Sequence, residues 1–145
     1  MIEIKKIPAS ETYPIRQEEL RKNIPLPIKF EGDMDADTFH LGAFRNDHLI
    51  AISTFRKANH QEFSGIQYQL RGMATYKKYQ GLGAAKLMMQ EAFCIFKTLK
   101  VDLLWCNARI IAVDFYKKQG LLIKGEQFDL PFIGGHYLMY KKLDK

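Results

Sequence analysis

The sequence predicts one mixed α/β (α+β) domain over residues 1–145, a central sheet of about seven strands with helices on both faces. Three observations predict it. Runs with strand-like patterning alternate with helical patterns in the order β-α-β-β-β-α-β-α-β-β. A strand over 66–75, a helix from Gly83 and a strand over 101–106 make a β-α-β crossover, which needs locally parallel strands. Hairpin signals on both sides of that crossover need antiparallel pairing, so the sheet is mixed.

"MIEIKKI" alternates apolar and polar residues as a half-buried strand does. "SETYPIRQEELRKN" reads as the first helix, with Ser10 as candidate N-cap and Arg16 to Lys22 as good helix formers; Pro14 blurs its start. "IPLPIKFEGDMDAD", with two prolines and four acids, is a loop. "TFHLGAF" and "HLIAISTF" form a hairpin across Arg45-Asn46-Asp47. "SGIQYQLRGMAT" is the next strand, and Gly72 within it marks a bulge or a close approach.

From Gly83 onward, Ala85, Met88, Met89, Ala92, Phe96 and Leu99 recur at helical spacing. "VDLLWCN" is a short buried strand. "ARIIAVDFYKKQG" is helical and closes on Gly120 as its C′ residue. "LLIKGEQFDL" and "GGHYLMYKKL" complete the sheet around a loop with Pro131.

Composition narrows the function classes. With 47% hydrophobic residues the chain can bury a core, which excludes a disordered chain. No apolar run reaches the roughly 20 residues of a membrane span, and the first residues lack the apolar stretch of a signal peptide. The expectation is a cytoplasmic protein with no membrane partner. Cys94 and Cys106 make no CxxC pair and no metal-ligand cluster with the four histidines; two free thiols and no metal are expected. The net charge of +6 favours anionic partners, but the 22 basic residues form no run of the kind that marks a nucleic-acid patch.

The chemistry concentrates in "TYKKYQGLGAAKLM", residues 75–88. It contains no P-loop string, and it departs from a dinucleotide fingerprint at Lys86 and at Asp102. What remains is Gln80-Gly81-Leu82-Gly83-Ala84-Ala85 between a strand and a helix. Small residues there let backbone N–H groups approach an anion, and the helix N-terminus adds roughly half a positive charge. Lys77, Lys78 and Lys86 stand close by. A glycine turn that merely starts a helix is the plain alternative.

"LRGMATYKKYQGLGAAKLMM" resembles the acetyl-CoA-binding motif of the GNAT superfamily of N-acetyltransferases, whose pattern R/Q-x-x-G-x-G/A is met by Gln80, Gly83 and Ala85. "LLWCNARIIAVDFYKKQG" is similar to the family's later strand-helix motif, with Asn107, Phe115-Tyr116 and Gly120 in register. The last hairpin also resembles that of small bacterial members, so the likeness spans roughly residues 38–142.

The resemblance implies a splayed parallel strand pair, ending at Thr75 and Cys106, with the pantetheine arm in the gap. Met73, Ala74 and Thr75 would pair with that arm, and an N–H near Met73 would face the thioester carbonyl. Residues 80–85, Leu82 included, would hold the pyrophosphate. Asn107 would contact the arm; a cap for the following helix is the other reading. Tyr116 would be the acid that protonates the departing thiolate; a core aromatic on an amphipathic helix is its alternative.

Many members carry a glutamate base on the strand before the glycine loop. Here Gln67, Gln69 and Arg71 stand instead, which leaves His40, Glu126, Asp129 and His136 as candidates. The acid-rich "FEGDMDAD" would either attract a cationic amine or form a solvated loop. The implied partners are acetyl-CoA and an amine that the sequence does not identify. Homodimers are common among relatives. A CoA-binding sensor without catalysis is the competing reading, and a Cys106 acyl-enzyme is a further one.

Overall fold

A computed structural model describes residues 1–143. Among the described residues seven strands form one sheet: β1 (Ile2–Ile7), β2 (Phe39–Arg45), β3 (His48–Lys57), β4 (Gln67–Thr75), β5 (Leu103–Arg109), β6 (Leu122–Leu130) and β7 (Gly134–Lys142). Their order is β1-β2-β3-β4-β5-β7-β6. β4 and β5 run parallel, and the other neighbours are antiparallel. The mixed sheet and the element order match the sequence reading.

The β2–β3 turn places Asn46 and Asp47 at φ +50° and +64°, the signs a two-residue hairpin requires. Gly72 meets both expectations made for it. Ser53 alone stands opposite Gly72 and Met73, which defines a bulge, and Gly72 has φ +61°. A Cβ at Gly72 would also lie 2.8 Å from the Phe30 ring.

The first helical segment is less regular than its sequence suggests. A 3-10 turn (Ala9–Thr12) leads into α1 (Tyr13–Ile15), and a π turn (Arg16–Leu20) follows. Ser10 is not its N-cap: Pro8 holds that place, and Ser10 sits inside the first turn. The helix stops at Leu20, before Lys22, and Arg16 turns inward. Pro14 is tolerated because it falls in the first turn of α1.

α2 (Ala84–Leu99) starts at Gly83 and buries Ala84, Met88, Met89, Ala92 and Phe96. The stripe therefore begins one residue before Ala85, and Leu99 is exposed at the far end. β5 continues to Arg109 rather than ending at Cys106, so the next helix starts late. A 3-10 turn (Ile110–Ala112) precedes α3 (Val113–Lys118). Gly120, at φ +94°, closes α3 as expected. Its N–H reaches the Lys117 carbonyl and the Leu121 N–H reaches the Tyr116 carbonyl, both at 3.0 Å.

α2 and α3 cover one face of the sheet over Phe39, Leu41, Phe55, Tyr68 and Leu104. Each such buried side chain contributes roughly 1.5–3 kcal/mol of transfer free energy. Ile15, at the end of α1, packs on the opposite face with Ile7, Ile52 and Ala74. Among the described residues no helix is long and apolar enough to cross a membrane.

Candidate active site

β4 and β5 pair over only Gln67–Gln69 and Leu103–Trp105, and then part. The Gly72–Met73 bulge bends β4 at this point, as an unpaired residue does to its strand. Backbone groups of β4 beyond Gln69 that face β5 consequently have no ladder partner. The gap is a cleft of about 840 Å³. Met73, Ala74 and Thr75 line it from β4, Cys106 and Asn107 from β5, and Tyr116 from α3. Gln80, Gly81, Gly83, Ala84 and Ala85 close one end. Leu82, expected with them, does not line the cleft, and its side chain is exposed.

The glycine loop is built for backbone approach. Gly81 and Gly83 have φ +82° and +87°, and a Cβ on either would meet nothing within 4 Å. Glycine is therefore required by backbone sign, while the space above it stays open. The first intrahelical bond of α2 runs from the Leu87 N–H to the Gly83 carbonyl. The N–H groups of Ala84, Ala85 and Lys86 are left free at the positive end of a 16-residue helix. This cradle fits a pyrophosphate, and the unladdered edge of β4 fits an amide-bearing arm.

Tyr116 is buried in the cleft wall. Burial raises its phenol well above the usual tyrosine value, nearby Cys106 adds to this, and the Arg109 guanidinium opposes it. Burial alone pushes the Cys106 thiol up to about 12. A thiol held so firmly neutral is a poor nucleophile, which argues against the acyl-enzyme reading. Cys94 is exposed, and both thiols are free.

Asn107 lines the cleft and caps nothing. The turn after β5 starts on Arg109 without a side-chain cap. The four candidate bases separate cleanly. His40 is buried outside the cleft, with Nδ1 2.8 Å from Thr54 Oγ1 and Nε2 3.0 Å from the Asp33 carbonyl. Glu126 and Asp129 are exposed on β6 and do not reach the cleft. His136 does line it. Its Nδ1 lies 2.7 Å from the Gly134 carbonyl and must donate to it, which leaves Nε2 as the acceptor nitrogen.

The acid-rich loop does not make the cleft negative. Glu31, Asp35 and Asp37 are exposed and do not line it, Glu31 reaching it only as a charge near Arg71, and Asp33 is buried against Arg16. Phe30, at the start of this loop, instead gathers positive charge. The guanidinium carbons of Arg16, Arg71 and Arg21 lie 3.8, 4.6 and 5.2 Å from its ring centroid. Arg21, Arg71 and Arg109 all line the cleft. No local pattern marks Arg21 or Arg109, and Arg71 stands out in the sequence only as a residue in place of the expected carboxylate; the surplus of +6 is their other trace. Among the described residues no cluster of three or more metal-ligating side chains is found.

The profile of the Acetyltransferase (GNAT) family matches residues 1–121. An uncharacterized N-acetyltransferase of Bacillus subtilis (strain 168), YitI, is 36% identical over 145 residues, covering 99% of this chain and 97% of its own. The fold resembles that of an acyl-CoA N-acyltransferase from Pseudomonas aeruginosa, with TM-score 0.79, 18% identity and coverage of 97% and 99% of the two chains. Escherichia coli ElaA is similar to the same degree, with TM-score 0.79, 17% identity and the same coverage.

Proposed function

This chain belongs to the Acetyltransferase (GNAT) family, and on that premise we propose that it transfers an acetyl group directly from acetyl-CoA to the nitrogen of an amine. The observation that carries the proposal is the parting of β4 from β5 beside an open glycine cradle, with a buried phenol in the same wall. Gln80, Gly81 and Gly83–Ala85 hold the pyrophosphate through main-chain N–H groups. Met73, Ala74, Thr75 and Asn107 receive the pantetheine arm.

Acetyl-CoA supplies an acyl group already activated as a thioester. The chain's task is alignment, charge stabilisation and proton movement. A Met73 N–H meets the negative charge that develops on the acyl oxygen, a contribution of roughly 3–4 kcal/mol. Tyr116 keeps its proton at any physiological pH and delivers it to the departing sulfur. Burial raises the phenol, but the same surroundings also raise a thiolate formed beside it, as Cys106 illustrates, so the departing sulfur is a stronger proton acceptor here than in water. His136 takes the proton of the attacking amine on Nε2, the role that no carboxylate on β4 fills.

The test is acetyl-CoA consumption, read as free thiol, over a panel of amines with Tyr116→Phe alongside. Turnover that drops sharply in the variant supports the reading and its acid. Acetyl-CoA binding without turnover on any amine would favour the sensor reading, and absence of binding would overturn both.

A further inference from the structure

We propose that the acceptor is a small amine carrying its own anionic group, a carboxylate or a phosphate, which Arg21, Arg71 and Arg109 hold at the end of the cleft away from the glycine loop. This rests on the transferase reading and names its substrate class. The first ground is unmet charge. Arg71 and Arg109 make no hydrogen bond or ion pair with any described residue. Arg21 spends Nε on the Pro27 carbonyl and Nη1 on the Leu20 carbonyl, at 3.1 and 3.2 Å, and keeps Nη2. No acid pairs with them directly: Asp33 is taken by Arg16, Glu31 acts on Arg71 only at a distance, and Glu19, the one carboxylate of the cleft lining, accepts the Lys77 N–H.

Burial lowers the proton affinity of all three guanidiniums; other arginines lower that of Arg21 and Arg71 further, while Asp33 and Glu31 oppose this at Arg71 and Tyr116 opposes it at Arg109. Arginine stays charged regardless, so the cleft holds confined positive charge that an anion would relieve. The Phe30 face steadies two of these groups, but an aromatic ring is no counter-ion.

The second ground is sidedness. Tyr68, Leu70, Leu104, Cys106 and Ala108 point into the core under α2 and α3, so Arg71 and Arg109 project from the opposite face. The cradle at the N-terminus of α2 belongs to the first face, so these arginines are not a second grip on the same pyrophosphate. Guanidinium forks match carboxylate and phosphate oxygens in pairs, and they repel an ammonium. Arg71 stands two residues before Met73, just across the Gly72 bulge, so anion and reacting nitrogen are a few bonds apart.

The experiment compares three matched amines, 3-aminopropanoate, 2-aminoethyl phosphate and 1,2-diaminoethane, in the wild type, Arg71→Gln and Arg109→Gln. One of the two anionic amines should exceed the diamine in kcat/KM by about tenfold or more, and which one identifies the group. In both variants its KM should rise about tenfold to a hundredfold while the KM for acetyl-CoA holds. A preference for the diamine, or an anionic preference that survives both substitutions, overturns the proposal and leaves the transferase standing. Titration with inorganic phosphate, followed by thermal unfolding, is independent of turnover. Stabilisation lost in both variants supports the arginine site; stabilisation absent from the wild type, or equal in the variants, overturns it. Acetyl-CoA stabilisation, measured in parallel, tests the transferase reading separately.

Discussion

Arg16 and Asp33 form a two-pronged buried ion pair, with Nη1 2.7 Å from Oδ2 and Nη2 3.0 Å from Oδ1. Arg16 also donates to the Ile28 carbonyl and to Thr54 Oγ1, each at 2.8 Å, and Asp33 Oδ2 accepts the Phe30 N–H at 2.8 Å. One pair thus joins the first helical segment, the acid-rich loop and β3, and it fixes Phe30 against Gly72 at the floor of the cleft.

Asp33→Asn keeps the shape and removes the charge, which leaves the Arg16 guanidinium, 0% exposed, without its counter-ion. A loss of about 3–5 kcal/mol is expected. Urea unfolding measures it, and a loss below 1 kcal/mol would contradict the central place given to this pair.

The same pair sets a pH dependence. Burial by itself would raise the Asp33 carboxyl, but the Arg16 and Phe30 hydrogen bonds and the charges of Arg16 and His40 outweigh it and hold it below its ordinary value. A depressed folded-state value means stability that is present above the unfolded value, near 3.9, and is lost as pH falls through the folded one. The stability gap between wild type and Asp33→Asn should therefore close below about pH 4. A gap that stays constant would show that the carboxylate charge does not matter.

Gly83→Ala separates backbone conformation from ligand approach. At φ +87° the new residue is strained, which should cost about 1–2 kcal/mol of stability. Its methyl enters the open space over the cradle, so acetyl-CoA affinity should fall by at least about tenfold. Calorimetric titration of the folded variant checks this; undiminished affinity would move the phosphate site elsewhere.

Tyr116→Phe removes one hydroxyl from a packed ring. A fall in kcat of about 10²–10⁴ is expected, with the KM for acetyl-CoA little changed. Because burial raises the phenol, the wild type should show no loss of rate from this group as pH approaches 10. The stability linked to the neutral phenol is likewise full below about 10 and declines as pH rises through the folded-state value. An alkaline loss of rate near pH 8 that vanishes in the phenylalanine variant would overturn the sign.

The two cysteines should report on the cleft without any substitution. Cys94 is exposed and should react with maleimide at once, whereas Cys106 is buried with its thiol pushed up to about 12 and should react only on unfolding. Mass spectrometry counts the adducts. Fast modification of Cys106 in the native protein would reopen the acyl-enzyme route.

The order of the elements, the Asn46-Asp47 hairpin, the bulge at Gly72, the glycine loop and the closure of α3 at Gly120 were legible in the sequence alone. Each depends on the sign of φ at one residue or on a period of two or about 3.6 along the chain. The placing of His136 rather than His40 in the cleft lining, the pairing of Asp33 with Arg16 and the gathering of Arg21, Arg71 and Arg109 came only with the tertiary structure. A histidine is a base or a scaffold according to what its two nitrogens meet, and for His40 those partners are Thr54 and the Asp33 carbonyl. A carboxylate attracts a substrate only if no guanidinium has already claimed it, and Arg16 claims Asp33 from 17 residues away. Backbone preference acts between neighbours in sequence. Charge and burial act through space, so no local pattern could report them.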